Sequence, residues 1–132
     1  NCKVFEGSWD DTLLDDKDIL DLYNKSKVTI LPIKNTLQPS GQSVALQSMA
    51  CGTPIIITKT RGFWDYENFK DNKNIFFNPN NNLDSWIYKI NLILNLSNEE
   101  YDNFSNNCES VVKKHHSMDI INTKLEYFIN NL

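Results

Sequence analysis

The sequence predicts an α/β fold: a parallel sheet of about four strands closed by carboxyl-terminal helices. Three observations carry this. Val28 to Ile33 and Thr53 to Thr58 are continuous apolar, β-branched runs, the pattern of strands buried on both faces of a parallel sheet. Ser43 to Cys51, between them, is helical in period, so the segment reads as a strand–helix–strand crossover. Beyond residue 83 the apolar spacing stays helical to the end of the chain.

Taken in order, Lys3 to Phe5 is a short β-like run closed by Gly7. The acidic stretch that follows leads into a helix marked by Ile19, Leu20, Leu22 and Tyr23, with acids near its start that suit the dipole. The strand at 28–33 comes next, then the helix at 43–51, which Gly52 ends and Pro54 prevents from continuing. After the strand at 53–58, Asn74 to Phe77 supplies a fourth, shorter one. Three helical stripes follow: Leu83, Trp86, Ile87, Ile90, Ile93 and Leu94; then Tyr101, Phe104, Cys108, Val111 and Val112; then Met118, Ile121, Leu125 and Phe128. Ser97 with Glu100 forms a capping box for the middle helix, and Ser117 caps the last. These stripes read as core or docking faces. The asparagine run Asn80-Asn81-Asn82 reads as composition rather than chemistry. With no repeat or Gly/Ser hinge, residues 1–132 are expected to form a single domain with a helical tail over about 83–132.

The 132 residues are 40% apolar, enough for one ordinary core and too few for two. Every apolar run is shorter than the roughly 18 residues a membrane helix requires. The net charge of −4 resides in residues 1–26, where seven acids face Lys3, Lys17 and Lys25; the rest is balanced. Nucleic acid is therefore not an expected partner. Cys2, Cys51 and Cys108 show neither metal-ligand spacing nor a disulfide framework, so no metal is expected and the compartment reads as reducing and cytoplasmic. The absence of an initiator Met and leader suggests a piece of a longer protein.

The chemistry concentrates between Leu37 and Ile57. A strand, a Pro39-Ser40-Gly41 turn and an uncharged helix start together offer unpaired backbone N–H groups and a positive dipole end to an anion. Gly41 lets the main chain approach a diphosphate; the amides of Gln42, Ser43 and Val44 and the Ser43 hydroxyl are its candidate donors. Gln47 lies one turn further on the same face and leans toward the same point. The competing reading is an ordinary crossover with Ser43 as N-cap and Gln47 as a surface residue. Neither a dinucleotide Gly-x-Gly-x-x-Gly nor a P-loop Gly-Lys-Ser/Thr is present.

Gln47-Ser-Met-Ala-Cys-Gly-Thr-Pro-Ile-Ile, followed by Thr60-Arg-Gly-Phe-Trp-Asp65, resembles the signature of retaining GT-B glycosyltransferases, Glu-Ala-Met-Ala-x-Gly-x-Pro-Val-Ile and then Gly-Gly-x-x-Glu. Val4-Phe5-Glu6-Gly7, and Leu22-Tyr23 with Ser26, resemble that family's flanking segments. The resemblance covers essentially the whole chain. It implies the latter part of a Rossmann-like, donor-binding GT-B carboxyl-terminal domain.

On that resemblance the substrate is a nucleotide-diphosphate sugar, with no separate cofactor. Gly41, Gln42 and Ser43 fall beside the diphosphate, and Gln47 stands where a family glutamate binds the ribose hydroxyls. The family's first glutamate falls at Pro39, with Gln38 one residue away as its substitute. Arg61 replaces the first glycine of the Gly-Gly pair, where it can offset diphosphate charge, and Asp65 replaces the glutamate after it. Trp9 is the candidate for stacking on the base. Phe63 and Trp64 either wall the pocket or bury themselves against Phe76 and Phe77, and His115 and His116 are expected to cap a helix or stay exposed.

The implied reaction transfers a sugar to a glycan or lipid-linked acceptor, as in polysaccharide biosynthesis. An amino-terminal acceptor domain holds the remaining catalytic groups, and peripheral membrane contact would run through that part. The open edge beside residues 28–32 calls for the 3–6 strand, a second copy or another chain to complete the sheet. A non-catalytic nucleotide-binding module and a nucleotide-sugar epimerase remain the alternatives.

Overall fold

The computed structural model describes residues 14–131. The elements run α1 (Asp16–Lys25), β1 (Thr29–Leu31), α2 (Gln42–Ala50), β2 (Ile55–Thr58), β3 (Phe76–Asn78), α3 (Leu83–Leu94), α4 (Asn98–His115) and α5 (Met118–Asn130). The fold is the expected α/β class: a parallel sheet in the order β1-β2-β3, with helices after it. Three of the four expected strands are present. The fourth, Lys3 to Phe5, lies outside the described residues.

Each strand is shorter than its apolar run. Pro32 has no N–H to offer the β1 ladder, and beyond it the Ile33 amide donates instead to Thr58 Oγ1 at 2.9 Å. At the other end the Pro54 carbonyl accepts from the Thr29 amide. The last strand is displaced from 74–77 to 76–78 because Asn74 is occupied in a turn, its Oδ1 accepting the Lys70 amide and its Nδ2 donating to the Asn68 carbonyl.

Every residue of β2 is buried, as its unbroken Ile55-Ile56-Ile57 run requires. Ala45 and Met49 of α2 pack in the core with the sheet at zero exposure, together with Ile75 and the nearly enclosed Phe69. Burial of each large aliphatic side chain stabilises the fold by roughly 1.5–3 kcal/mol. From α4, Phe104 stacks on Phe76 with ring centroids 4.3 Å apart, and Cys108 is wholly buried. Burial, with a smaller contribution from Glu109, pushes the Cys108 thiol up to about 12.

The helix signals hold. Ser97 and Glu100 form a complete capping box at the start of α4 and Ser117 caps α5, as expected, while Asn82, from the run read as composition, caps α3. The apolar stripes fare unequally. Phe104, Cys108, Val111 and Val112 are buried on α4, and Trp86 and Ile93 on α3, but α5 buries none of its stripe. Met118, Ile121, Leu125 and Phe128 are 43–68% exposed, so this face is not core within the described residues. The asparagine run is structural. Asn81 Oδ1 accepts from Thr58 Oγ1 at 2.7 Å while its Nδ2 donates to the Ile33 carbonyl, tying the ends of β1 and β2 together.

Candidate functional site

The crossover from β1 to α2 folds as its turn residues dictate. Gly41 adopts φ 73°, the left-handed region, and serves as the N-cap of α2. A Cβ on Gly41 would lie 2.6 Å from Ile33 Cδ1 and 3.3 Å from Leu31 Cδ1. The left-handed backbone favours glycine there, and a side chain would also have to displace the Ile33 methyl. The cap is Gly41 and not Ser43, because α2 begins one residue earlier than the apolar period indicates.

The consequence is electrostatic. Gly41 has no side chain to accept a hydrogen bond, and the first intrahelical bond runs from the Ala45 amide to the Gly41 carbonyl at 2.9 Å. The amides of Gln42, Ser43 and Val44 stand upstream of that bond, without an acceptor among the described residues. All three residues are exposed. α2 has no acidic residue in its first turn, so its positive end is uncompensated. The turn lies beyond the carboxyl end of β1, the edge at which open α/β sheets gather ligands. Its other end closes in a Schellman motif: Gly52, at φ 70°, donates to the Met49 carbonyl and Thr53 to that of Ser48.

Gln47 is exposed on the next turn of α2, where its Oε1 accepts from the Tyr23 hydroxyl at 3.4 Å. Gln38 is exposed in the turn before Gly41, its amide donating to Thr36 Oγ1 at 3.0 Å. Pro39 is exposed beside it. Arg61 is exposed in the loop after β2, and the next residue locks that loop to the first turn. The Gly62 amide donates to the Thr36 carbonyl at 2.9 Å, and a Cβ on Gly62 would come within 2.5–2.6 Å of the Leu37 and Gln38 backbone. The structure thus brings the 36–38 turn and the Arg61 loop together. Trp9 lies outside the described residues.

Of the aromatic pair after Arg61, Phe63 belongs to the interior and Trp64 is half-buried against it. Phe63 is 8% exposed and meets Phe77 edge-on at 4.8 Å, and it packs at 4.1 Å from Trp64. Of the two readings, burial against Phe77 is observed for Phe63; Trp64 is half-buried and packs on Phe63 and Phe69. The paired histidines divide. His115 ends α4, whereas His116, the C-cap, is neither a mere cap nor exposed: its Nε2 lies 3.0 Å from Asp65 Oδ2 and its ring stacks on Phe69. Asp65 also accepts from the Asn68 amide and from Asn68 Nδ2. Burial by itself would raise the Asp65 carboxyl; the bonds from Asn68 and His116 outweigh it and hold the group below its ordinary value. Nothing local in the sequence signals an Asp65–His116 pair 51 residues apart.

Two open grooves, of about 500 and 530 Å³, run along α4 and are lined by residues of 68–76 and 92–115, none of them from the 38–44 turn. Among the described residues no three His, Cys, Asp or Glu side chains gather as metal ligands, and no helix is long and apolar enough to cross a membrane.

Residues 13–111 match the sequence family described as glycosyl transferases group 1. No curated protein and no solved structure matches the chain.

Proposed function

The chain belongs to the group 1 glycosyl transferases, and from that premise we propose that the amino end of α2 is the diphosphate cradle of a nucleotide-sugar donor site. The observation that carries the proposal is Gly41 capping α2 in the left-handed region, with the amides of Gln42, Ser43 and Val44 lacking an acceptor among the described residues. When the bond from sugar to phosphate breaks, negative charge grows on the departing diphosphate. Fixed N–H dipoles at a helix start stabilise that charge without reorganising. The Ser43 hydroxyl adds a donor, and Arg61 supplies the one cation of the two adjoining loops 36–44 and 60–65. Gln47 holds the ribose hydroxyls through its amide, and Gln38 stands in for the sugar-binding glutamate at whose place this chain has Pro39.

In this reading the donor is a nucleoside diphosphate sugar and the acceptor a glycan or lipid-linked saccharide. An amino-terminal domain brings the acceptor and the remaining catalytic groups, and the base stacks on Trp9. A second reading, a nucleotide-binding or interaction module without turnover, is favoured by the residues that depart from the family signature, Gln47 and Pro39, the latter because a proline side chain accepts nothing from a sugar hydroxyl.

Titration of the chain with UDP, GDP and their sugars, followed by amide chemical shifts, tests the site. Shifts at Gln42, Ser43 and Val44 are expected with at least one nucleotide; none with any of them removes the reading. Gln47→Ala is expected to weaken binding about 2–10-fold, the worth of one ordinary hydrogen bond. Unchanged affinity would return Gln47 to the surface.

A further inference from the structure

We propose that Asp65 and His116 form a clamp that positions the Thr60–Trp64 loop, and through it Arg61, at the donor site; the Arg61 clause rests on the donor-site reading above. His116 is a positioning residue in this account, since it touches no ligand.

Three contacts in series make the argument. At the far end, His116 Nε2 sits 3.0 Å from Asp65 Oδ2, and both side chains are largely shielded, at 17% and 14% exposure. The imidazole is held flat by Phe69, with ring centroids 5.2 Å apart at 26°, so it has little freedom to leave the carboxylate. In the middle, Asp65 is fixed a second time by the Asn68 amide and side chain, and Phe69 and Phe63 meet edge-on at 5.7 Å. At the near end, Gly62 bonds to Thr36 and leaves no room for a Cβ between itself and the Leu37–Gln38 backbone. Arg61 directly precedes Gly62 and follows Lys59, whose amide donates to the Asn78 carbonyl at 2.7 Å, so its loop is tied to β3 at its start, at Gly62 to the turn that leads into Gly41, and at Asp65 to the end of α4.

The geometry has a specific logic. An exposed arginine on a free loop loses rotamer and backbone freedom when it meets an anion, and that loss subtracts from affinity. A loop pinned at both ends meets most of the backbone part of that cost on folding. The clamp also explains why a shielded carboxylate is tolerated at Asp65: it accepts hydrogen bonds from Asn68 and His116.

Amide hydrogen exchange and nucleotide titration together test this on the full chain. In His116→Ala the Gly62 amide, protected by its bond to Thr36, is expected to exchange about tenfold faster, with the amides of α3 unchanged. His116→Gln, whose side-chain amide can replace Nε2, is expected to restore most of that protection, and Asp65→Asn combined with His116→Ala to be no worse than His116→Ala alone. Unchanged Gly62 exchange in His116→Ala, or a uniform rise across α3, overturns the clamp. In the second arm UDP affinity should fall about 3–10-fold in His116→Ala and not fall further when the change is made in Arg61→Ala. Equal additional losses in both backgrounds overturn the link to Arg61. Absence of any UDP or GDP binding by the unaltered chain refutes the donor site and with it the Arg61 link, while the exchange arm still decides the clamp.

Discussion

At the scale of single residues, the site depends on what a side chain would obstruct. Gly41→Ala would add a Cβ in the left-handed region and drive it toward Ile33. The expected cost is about 1–3 kcal/mol of stability, read from the urea midpoint, with a larger effect on nucleotide binding if the α2 start shifts. Gly62 has the same steric argument without a positive φ: the Leu37–Gln38 backbone occupies the space. Asp65 gives the pH prediction. Its carboxyl is held below the ordinary value in the folded chain, so its contribution is fully present above the unfolded pKa of about 3.9. It is lost as pH falls through the lower, folded value. Acid unfolding of the wild-type chain should therefore be steeper below pH ~4 than that of Asp65→Asn, measured by circular dichroism along a pH titration. The residue scale is also where sequence reading reached least. Gln42, Ser43 and Val44 are legible as a helix start, but the pairing of His116 with Asp65 and the bridge made by Asn81 join residues that have no local pattern in common.

At the scale of elements, the period of the apolar residues located α3 and α5 within two residues and α4 within three. Caps explain the accuracy. The Ser97 hydroxyl accepts from the Glu100 amide, and the Glu100 carboxylate returns the bond to the Ser97 amide, which fixes where α4 starts. Ser97→Ala is expected to cost about 1 kcal/mol, visible as a lower urea midpoint with the fold retained. Strand ends were less legible than helix ends. An apolar run shows which residues can be buried, whereas the ladder stops where a backbone N–H is missing or otherwise engaged, as at Pro32 and Ile33. The same limit applied to α2, whose first residue is set by the conformation of Gly41 rather than by hydrophobic spacing.

At the scale of the whole molecule, burial divides the chain unevenly. β2 and the inner face of α2 are fully enclosed, whereas α5 buries no residue. Met49→Ala, at zero exposure against the sheet, should cost about 2–5 kcal/mol. Phe128→Ala, 68% exposed, should stay within ~0.5 kcal/mol in the same denaturation experiment. A reversal would mean that α5 packs on the body of this chain. By itself the sequence determined the α/β class, the order of the described strands and helices, the caps of α4 and α5 and the family, because periodicity, capping residues and the Gln47 to Ile56 motif are each local. Only the tertiary structure decided which apolar stripes are core, that Phe63 is buried, and that Asp65 meets His116 beside the Arg61 loop. Those facts depend on where the chain returns to itself, and contacts between residues 20 to 50 positions apart are set by the packing of whole elements, which no local spacing encodes.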